Sequence, residues 1–110
     1  DSLDAIWIVT PKFIELITIN GVLISHLDIE INITAICPID FHGHTNIHSL
    51  LVGDCFGNIY IVKSFSTDCE MQIYKLPKSH EFLIRQFHVH HSFKIFISVD
   101  EYSNVFIWKI

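Results

Sequence analysis

The sequence predicts an all-β fold, a partial β-propeller of about two to three four-stranded antiparallel blades, and three observations carry that expectation. A hairpin-shaped pattern occurs twice: SLLVGDCFGNIYIVK at residues 49–63 returns as IFISVDEYSNVFIWK at 95–109. Setting Asp54 on Asp100 gives an offset of 46 residues, which also places Asn58 on Asn104, Tyr60 on Phe106, Ile61 on Ile107 and Lys63 on Lys109. A period of roughly 40–50 residues built from short strands around a polar turn is what one propeller blade per repeat produces. Second, β-branched and aromatic runs separated by Pro, Gly and Asn recur along the chain, with no helical periodicity to compete. Third, many of those runs are apolar on both faces, as in a sheet covered by a neighbour on each side.

The elements follow in order. Residues 6–9 and 13–19 read as a hairpin around Thr10-Pro11-Lys12, because proline fixes φ and removes a ladder donor. Asn20-Gly21 then sits between two apolar runs, a tight-turn signal in which both residues tolerate positive φ. The run 33–36 stops at Cys37-Pro38, and residues 40–48 form a polar loop containing Gly43. Strands follow at 50–53 and 59–62 around Cys55-Phe56-Gly57-Asn58, then a polar connection at 64–70 and a strand at 71–76. Pro77-Lys78-Ser79 closes that unit, and 82–89, 94–99 and 104–108 repeat the order. With strand a innermost and d outermost, the chain divides into a partial blade b-c-d (1–27), a complete blade (33–76) and a partial blade a-b-c (82–110). Propellers close with about 4 to 8 blades. This chain, which opens at Asp1 and stops in a strand at Trp108-Lys109-Ile110, therefore reads as a fragment whose remaining blades lie in a longer chain. A small complete barrel or sandwich is the rival reading.

Composition narrows the function. Of 110 residues, 50% are hydrophobic and 17% charged, which suits a chain that buries a core and not a disordered one. No apolar run approaches the length of a membrane span and no signal peptide is apparent. The net charge is −5 and the lysines and arginine are scattered singly, so no basic patch invites nucleic acid. Cys37, Cys55 and Cys69 are odd in number and widely spaced, which suits a reducing compartment better than a disulfide framework.

Segments 14–27 (IELITINGVLISHL), 33–63 and 79–109 resemble the WD40-type repeats that end BEACH-domain proteins, the lysosomal trafficking regulator and neurobeachin group. The likeness lies in the Asn20-Gly21 turn and its following apolar strand, the hairpin at 51–53 with Gly57 before the next strand, and the closing Trp108; it covers residues 14–110. The repeat positions are Asn20, Gly21, Asp54, Gly57, Asn58, Ser98, Asp100, Asn104 and Trp108. The repeats depart from the family pattern. The usual Asp-Gly is Phe56-Gly57 in one blade and Tyr102-Ser103 in the other, Val62 stands where a tryptophan is expected, and Lys109 follows Trp108 in place of aspartate. Of the family's structural hydrogen-bond network only Ser98 and Trp108 fall in place, and Gly43-His44, though it resembles the family's Gly-His pair, lies in an a-to-b loop. The resemblance implies a non-catalytic protein-interaction scaffold without a cofactor. It also implies a cytoplasmic protein acting in vesicle or lysosome-related membrane trafficking, peripheral to endomembranes through its parent protein. A WD40 scaffold of another cytoplasmic complex is the nearest alternative.

The rival chemistry is a histidine-rich metal-binding or hydrolytic β-domain. His42, His44 and His48 cluster around a loop with Asp40, and His88 and His90 project from one strand face with His91 adjacent. Further ligands in register are missing from the pattern, so structural or solvent-facing histidines are expected. Cys55 and Ser98 lack a local histidine base and no nucleophile elbow is present. Asp54 and Asp100 read as turn-forming aspartates that accept nearby backbone amides. Phe65, Phe82 and Tyr102 are candidate partner anchors, with core packing the simpler expectation for most.

Overall fold

The computed structural model describes residues 5–39, 47–65, 71–77 and 79–109. They form ten strands: β1 (Ala5–Val9), β2 (Phe13–Thr18), β3 (Leu23–Asp28), β4 (Ile33–Ile39), β5 (Ile47–Asp54), β6 (Ile59–Phe65), β7 (Met71–Lys75), β8 (Ile84–His90), β9 (Ile95–Asp100) and β10 (Val105–Lys109). The all-β class is as expected. Three separate antiparallel sheets contain β1-β2-β3, β4-β5-β6-β7 and β8-β9-β10, each a meander in which spatial order equals chain order. Among the described residues no helix is long and apolar enough to cross a membrane.

Side-chain alternation along β5 explains why the sheets stack. Leu50 and Val52 point into a cluster with Ile14 and Leu16 of β2. Leu51 points the other way, among Ile84, Phe87 and Phe96 of the third sheet. All three β5 residues are fully buried, so this strand of the middle sheet is dry on both faces. Burying each such side chain contributes roughly 1.5–3 kcal/mol. Gly53 continues the Leu51 face, and a Cβ there would lie 2.5 Å from the Cβ of Ile84. The missing side chain is what lets the second and third sheets close up.

The repeat is visible in the irregularities as well. The β4–β5 ladder shifts register between Ile33 and Ala35, and the β8–β9 ladder shifts between Ile84 and Gln86. In both sheets the shift therefore falls just after the residue paired with the turn aspartate. At the first bulge the Thr34 hydroxyl donates to the Ile84 carbonyl at 2.5 Å, linking the second sheet to the third.

Four boundaries differ from expectation, each for a physical reason. β4 runs through Pro38 to Ile39, because this strand pairs on one side only and the missing N–H falls where a ladder bond can be spared. β5 begins at Ile47 and β6 ends at Phe65, since Ile47 pairs with Phe65 and His48 with Ser64. Ser64 lies in no loop; it is buried and its hydroxyl meets that of Ser25 at 2.5 Å across the first and second sheets. In the third sheet β8 starts at Ile84, leaving Phe82 outside the ladder.

Candidate functional site: the turn network of the third sheet

The three hairpins β2–β3, β5–β6 and β9–β10 share one turn. The amide of Thr18 donates to Val22 O (2.8 Å), Asp54 to Asn58 O (3.0 Å) and Asp100 to Asn104 O (3.1 Å), while Gly21, Gly57 and Ser103 donate back to the carbonyls of Thr18, Asp54 and Asp100. The third of the four connecting residues must take positive φ: 87° at Gly21, 87° at Gly57 and 67° at Ser103. Asn20 does not share it, so Asn20-Gly21 is not the two-residue turn its sequence suggests. Gly57 is doubly constrained, because a Cβ there would lie 2.1 Å from the carbonyl oxygen of His80.

Asp100 closes its turn with every lone-pair direction in use. Its Oδ1 accepts the amides of Tyr102 (2.9 Å) and Asn104 (3.0 Å), and its Oδ2 accepts Asn104 Nδ2 (2.9 Å) and His80 Nδ1 (3.1 Å). Burial alone would raise this carboxyl, but the bonds from Asn104, His80 and Tyr102 outweigh it and hold the pKa at about 2. Beyond His80 the chain continues: Nε2 meets Ser98 Oγ at 2.7 Å, and Ser98 Oγ accepts Trp108 Nε1–H at 2.9 Å. With the proton on Nδ1, each donor has one acceptor, from indole to hydroxyl to imidazole to carboxylate. The His80 ring packs on Phe106 at 4.1 Å between centroids, and Trp108 stacks on Phe96 at 5.8 Å.

The middle sheet keeps the aspartate and replaces the rest. Asp54 accepts the amides of Phe56 and Asn58 and the Asn58 side chain, but its last donor is Tyr60 Oη at 3.2 Å, from its own hairpin. Burial first, and then the Asp54 charge, push the Tyr60 phenol upward. At the 46-residue offset, Ser98 corresponds to Val52 and Trp108 to Val62, both fully buried in the apolar cluster. His80 lies four residues before Ile84, the partner of Asp100; Ile29 lies four before Ile33, the partner of Asp54, and it packs against the same cluster as Val52 and Val62.

The order Asp100–His80–Ser98 is that of a charge-relay triad, and access decides what it can do. Ser98 is fully buried, with its oxygen already engaged by the Trp108 indole. An open cleft of about 280 Å³ reaches His80 and Asp100, and is bounded by Glu81, Phe82, Asn104 and Phe106; Ser98 is not in its wall. A nucleophile must meet a substrate carbonyl, and this hydroxyl meets a ring nitrogen on one side and an indole on the other. The arrangement suits a latch that ties the segment before β8 to β9 and β10.

Above the latch lies a rim of exposed aromatics. Phe56 is 70% exposed, Tyr102 65% and Phe82 40%. Phe82 and Tyr102 meet edge to face at 4.6 Å, and the Phe56-Gly57 turn is pressed against the Phe82 backbone. Phe65, the third candidate anchor, is half-buried at the end of β6.

The remaining candidates disperse. Asp40, His42, Gly43, His44 and Cys69 lie outside the described residues. His48 is half-buried on β5, with Nε2 lacking a hydrogen-bond partner among the described residues. His88 and His90 share the exposed face of β8, and His91 follows in the turn. Among the described residues no group of three or more His, Cys, Asp or Glu side chains is placed to hold a metal ion. His26 sits between Asp28 and Glu15 at 2.8 Å from each, and hydrogen bonds to those carboxylates raise its pKa. Cys37 and Cys55 are free thiols, and burial pushes the Cys37 thiol up.

Sequence reasoning reached Asp54, Asp100, Ser98, Asn58, Asn104 and Trp108 and missed His80. The sequence sets the Gly43-His44 pair aside by its place in the a-to-b loop and offers no other Gly-His pair; the histidine that joins the network follows Ser79, 18 residues ahead of Ser98. What fold and site together define is a stack of three all-β meanders, two of which close a hairpin with a buried aspartate. Compared with protein-family models and with curated proteins, the chain matches none.

Proposed function

We propose that the chain is a segment of a WD40-type β-propeller and serves as a non-catalytic protein-interaction scaffold. The observation that supports this reading is the hydrogen-bonded line Trp108–Ser98–His80–Asp100 in the third sheet, which resembles the structural hydrogen-bond network of that family. The 46-residue repeat and the sheet-on-sheet stacking support it. On the resemblance to BEACH proteins, the parent protein acts in vesicle or lysosome-related trafficking at endomembranes. Phe56, Phe82 and Tyr102 form the partner-facing rim, since rigid exposed aromatics contribute most where a protein surface docks. Proximity labelling with the tagged parent protein tests this: Phe56→Ser with Tyr102→Ser should lose a defined set of neighbours while circular dichroism stays unchanged. An unchanged set of neighbours contradicts the rim.

The Asp100–His80–Ser98 order favours one second reading, a hydrolase. A fluorophosphonate probe separates the two. Labelling of Ser98 in the folded chain establishes the hydrolase, and an unlabelled Ser98 supports the latch.

A further inference from the structure

The cleft above the latch is acidic at its floor and aromatic in its walls. It measures about 280 Å³ over His80 and Asp100, just under the roughly 300–1,000 Å³ of a small-molecule pocket, so it suits one inserted side chain. His80 with its proton on Nδ1 is neutral, while Asp100 is ionised and 1% exposed. One negative charge therefore lies under the opening. All the lone-pair directions of Asp100 are occupied by its own turn and by His80, so it attracts a cation through charge and not through a new hydrogen bond.

The residues that follow His80 supply what the floor cannot. Glu81 is exposed in the cleft wall, an acceptor open to a donor from outside. Phe82 and Phe106, 40% and 38% exposed, present rings in the same wall. The Glu101 amide donates to the Leu83 carbonyl at 2.9 Å, which sets a second exposed glutamate next to the Phe82-Leu83 segment. Among the described residues no lysine or arginine lines the cleft, and Arg85 belongs to the β8 bulge past Ile84. A carboxylate beside aromatic rings favours a guanidinium over an ammonium. The flat ion stacks on a ring, bonds a carboxylate through two N–H groups and is more weakly hydrated.

We infer that this cleft takes an arginine side chain of a partner protein, paired with Glu81 and packed against the rings of Phe82 and Phe106 over the Asp100 charge. The inference rests on the scaffold reading and names what its rim receives. The middle sheet supplies an internal control. Glu30 follows Ile29 as Glu81 follows His80, four residues before the strand residue paired with each turn aspartate. Beneath Glu30, however, Ile29 packs against the apolar cluster.

Fluorescence anisotropy of a labelled Gly-Ser-Arg-Ser-Gly peptide, titrated with the parent protein, tests this. The expected result is saturable binding that weakens with added salt and falls about tenfold or more when citrulline, similar in shape but uncharged, replaces the arginine. Glu81→Gln and Phe82→Ser should each weaken it about fivefold, whereas Glu30→Gln should leave it unchanged. Circular dichroism reports whether Phe82→Ser still folds; the exposed Glu81→Gln remains decisive if it does not. Absence of saturable binding overturns the inference, as does equal binding of the citrulline peptide or a Glu30→Gln loss as large as that of Glu81→Gln. A lysine peptide bound as tightly as the arginine peptide overturns the guanidinium. Neighbours that depend on Phe56 and Tyr102, in a protein that ignores the arginine peptide, overturn this inference and leave the scaffold reading standing. Neighbours indifferent to those residues contradict the rim, and arginine binding lost with Glu81→Gln then upholds the cleft on its own.

Discussion

The middle and third sheets are two copies of one meander, and they solve the same buried turn with different chemistry. Each ends its second strand in an aspartate that captures two amides and an asparagine of its own turn. In the third sheet the last donor arrives from outside the hairpin, as His80, and brings Ser98 and Trp108 with it. In the middle sheet it is Tyr60, and the positions of histidine, serine and tryptophan are taken by Ile29, Val52 and Val62. A buried carboxylate must be satisfied, whereas the identity of its last donor is free. Once the histidine is replaced by an apolar residue, the serine and tryptophan have lost their reason to be polar, because a half-satisfied network is worse than an apolar core. The three positions therefore change as a set.

The largest effect that separates the two copies falls at the positive-φ position. Gly57→Val should abolish cooperative folding, costing about 3 kcal/mol or more, because it adds both left-handed strain and a clash with the His80 carbonyl. At the equivalent Ser103, replacement by glycine should have the opposite sign and stabilise by up to about 1 kcal/mol, since a φ of 67° is strained for serine. Urea melts of the two variants check both signs.

Converting the third copy toward the second should fail when done singly. Ser98→Val imitates Val52 but leaves the Trp108 indole without an acceptor and the His80 Nε2 without a donor, at a cost of about 1–3 kcal/mol per stranded group. Tyr60→Phe, which removes the last donor to Asp54, should cost about 1 kcal/mol, whereas Phe106→Tyr at the matching position has no vacant acceptor on Asp100 to gain.

The smallest difference is in acid. The Asp100 carboxyl is held at about 2 against an ordinary 3.8, so its stabilising effect is complete above about pH 4 and disappears as the pH falls through 2. Asp100→Asn should therefore be less stable than the parent chain at neutral pH, with the two converging toward pH 2 in acid titrations followed by tryptophan fluorescence.

Much of this architecture is legible in the sequence because it repeats. The runs 50–53 and 59–62 and the aspartate offset mark the hairpins without any knowledge of their neighbours. What escaped is what depends on the neighbours. His80 sits in a connection with no periodicity, and only the proximity of Ser98 and Asp100 gives it a role. Ser64 reads as a loop residue until Ser25 is placed across from it in another sheet. The glycine at 53 falls inside a predicted strand with no role of its own, while the structure uses it as clearance for Ile84. Pro38 signals a strand end only if both edges of the strand must pair, and β4 pairs on one edge.

The central claim is that His80, Ser98, Asp100 and Trp108 act as one unit, and a double-mutant cycle on His80→Ala and Ser98→Ala in denaturant melts tests it most directly. One connected chain predicts that the double variant loses less than the two single losses combined, with a coupling of about 1–2 kcal/mol. Additive losses, with coupling indistinguishable from zero, would contradict it and reduce the network to independent contacts.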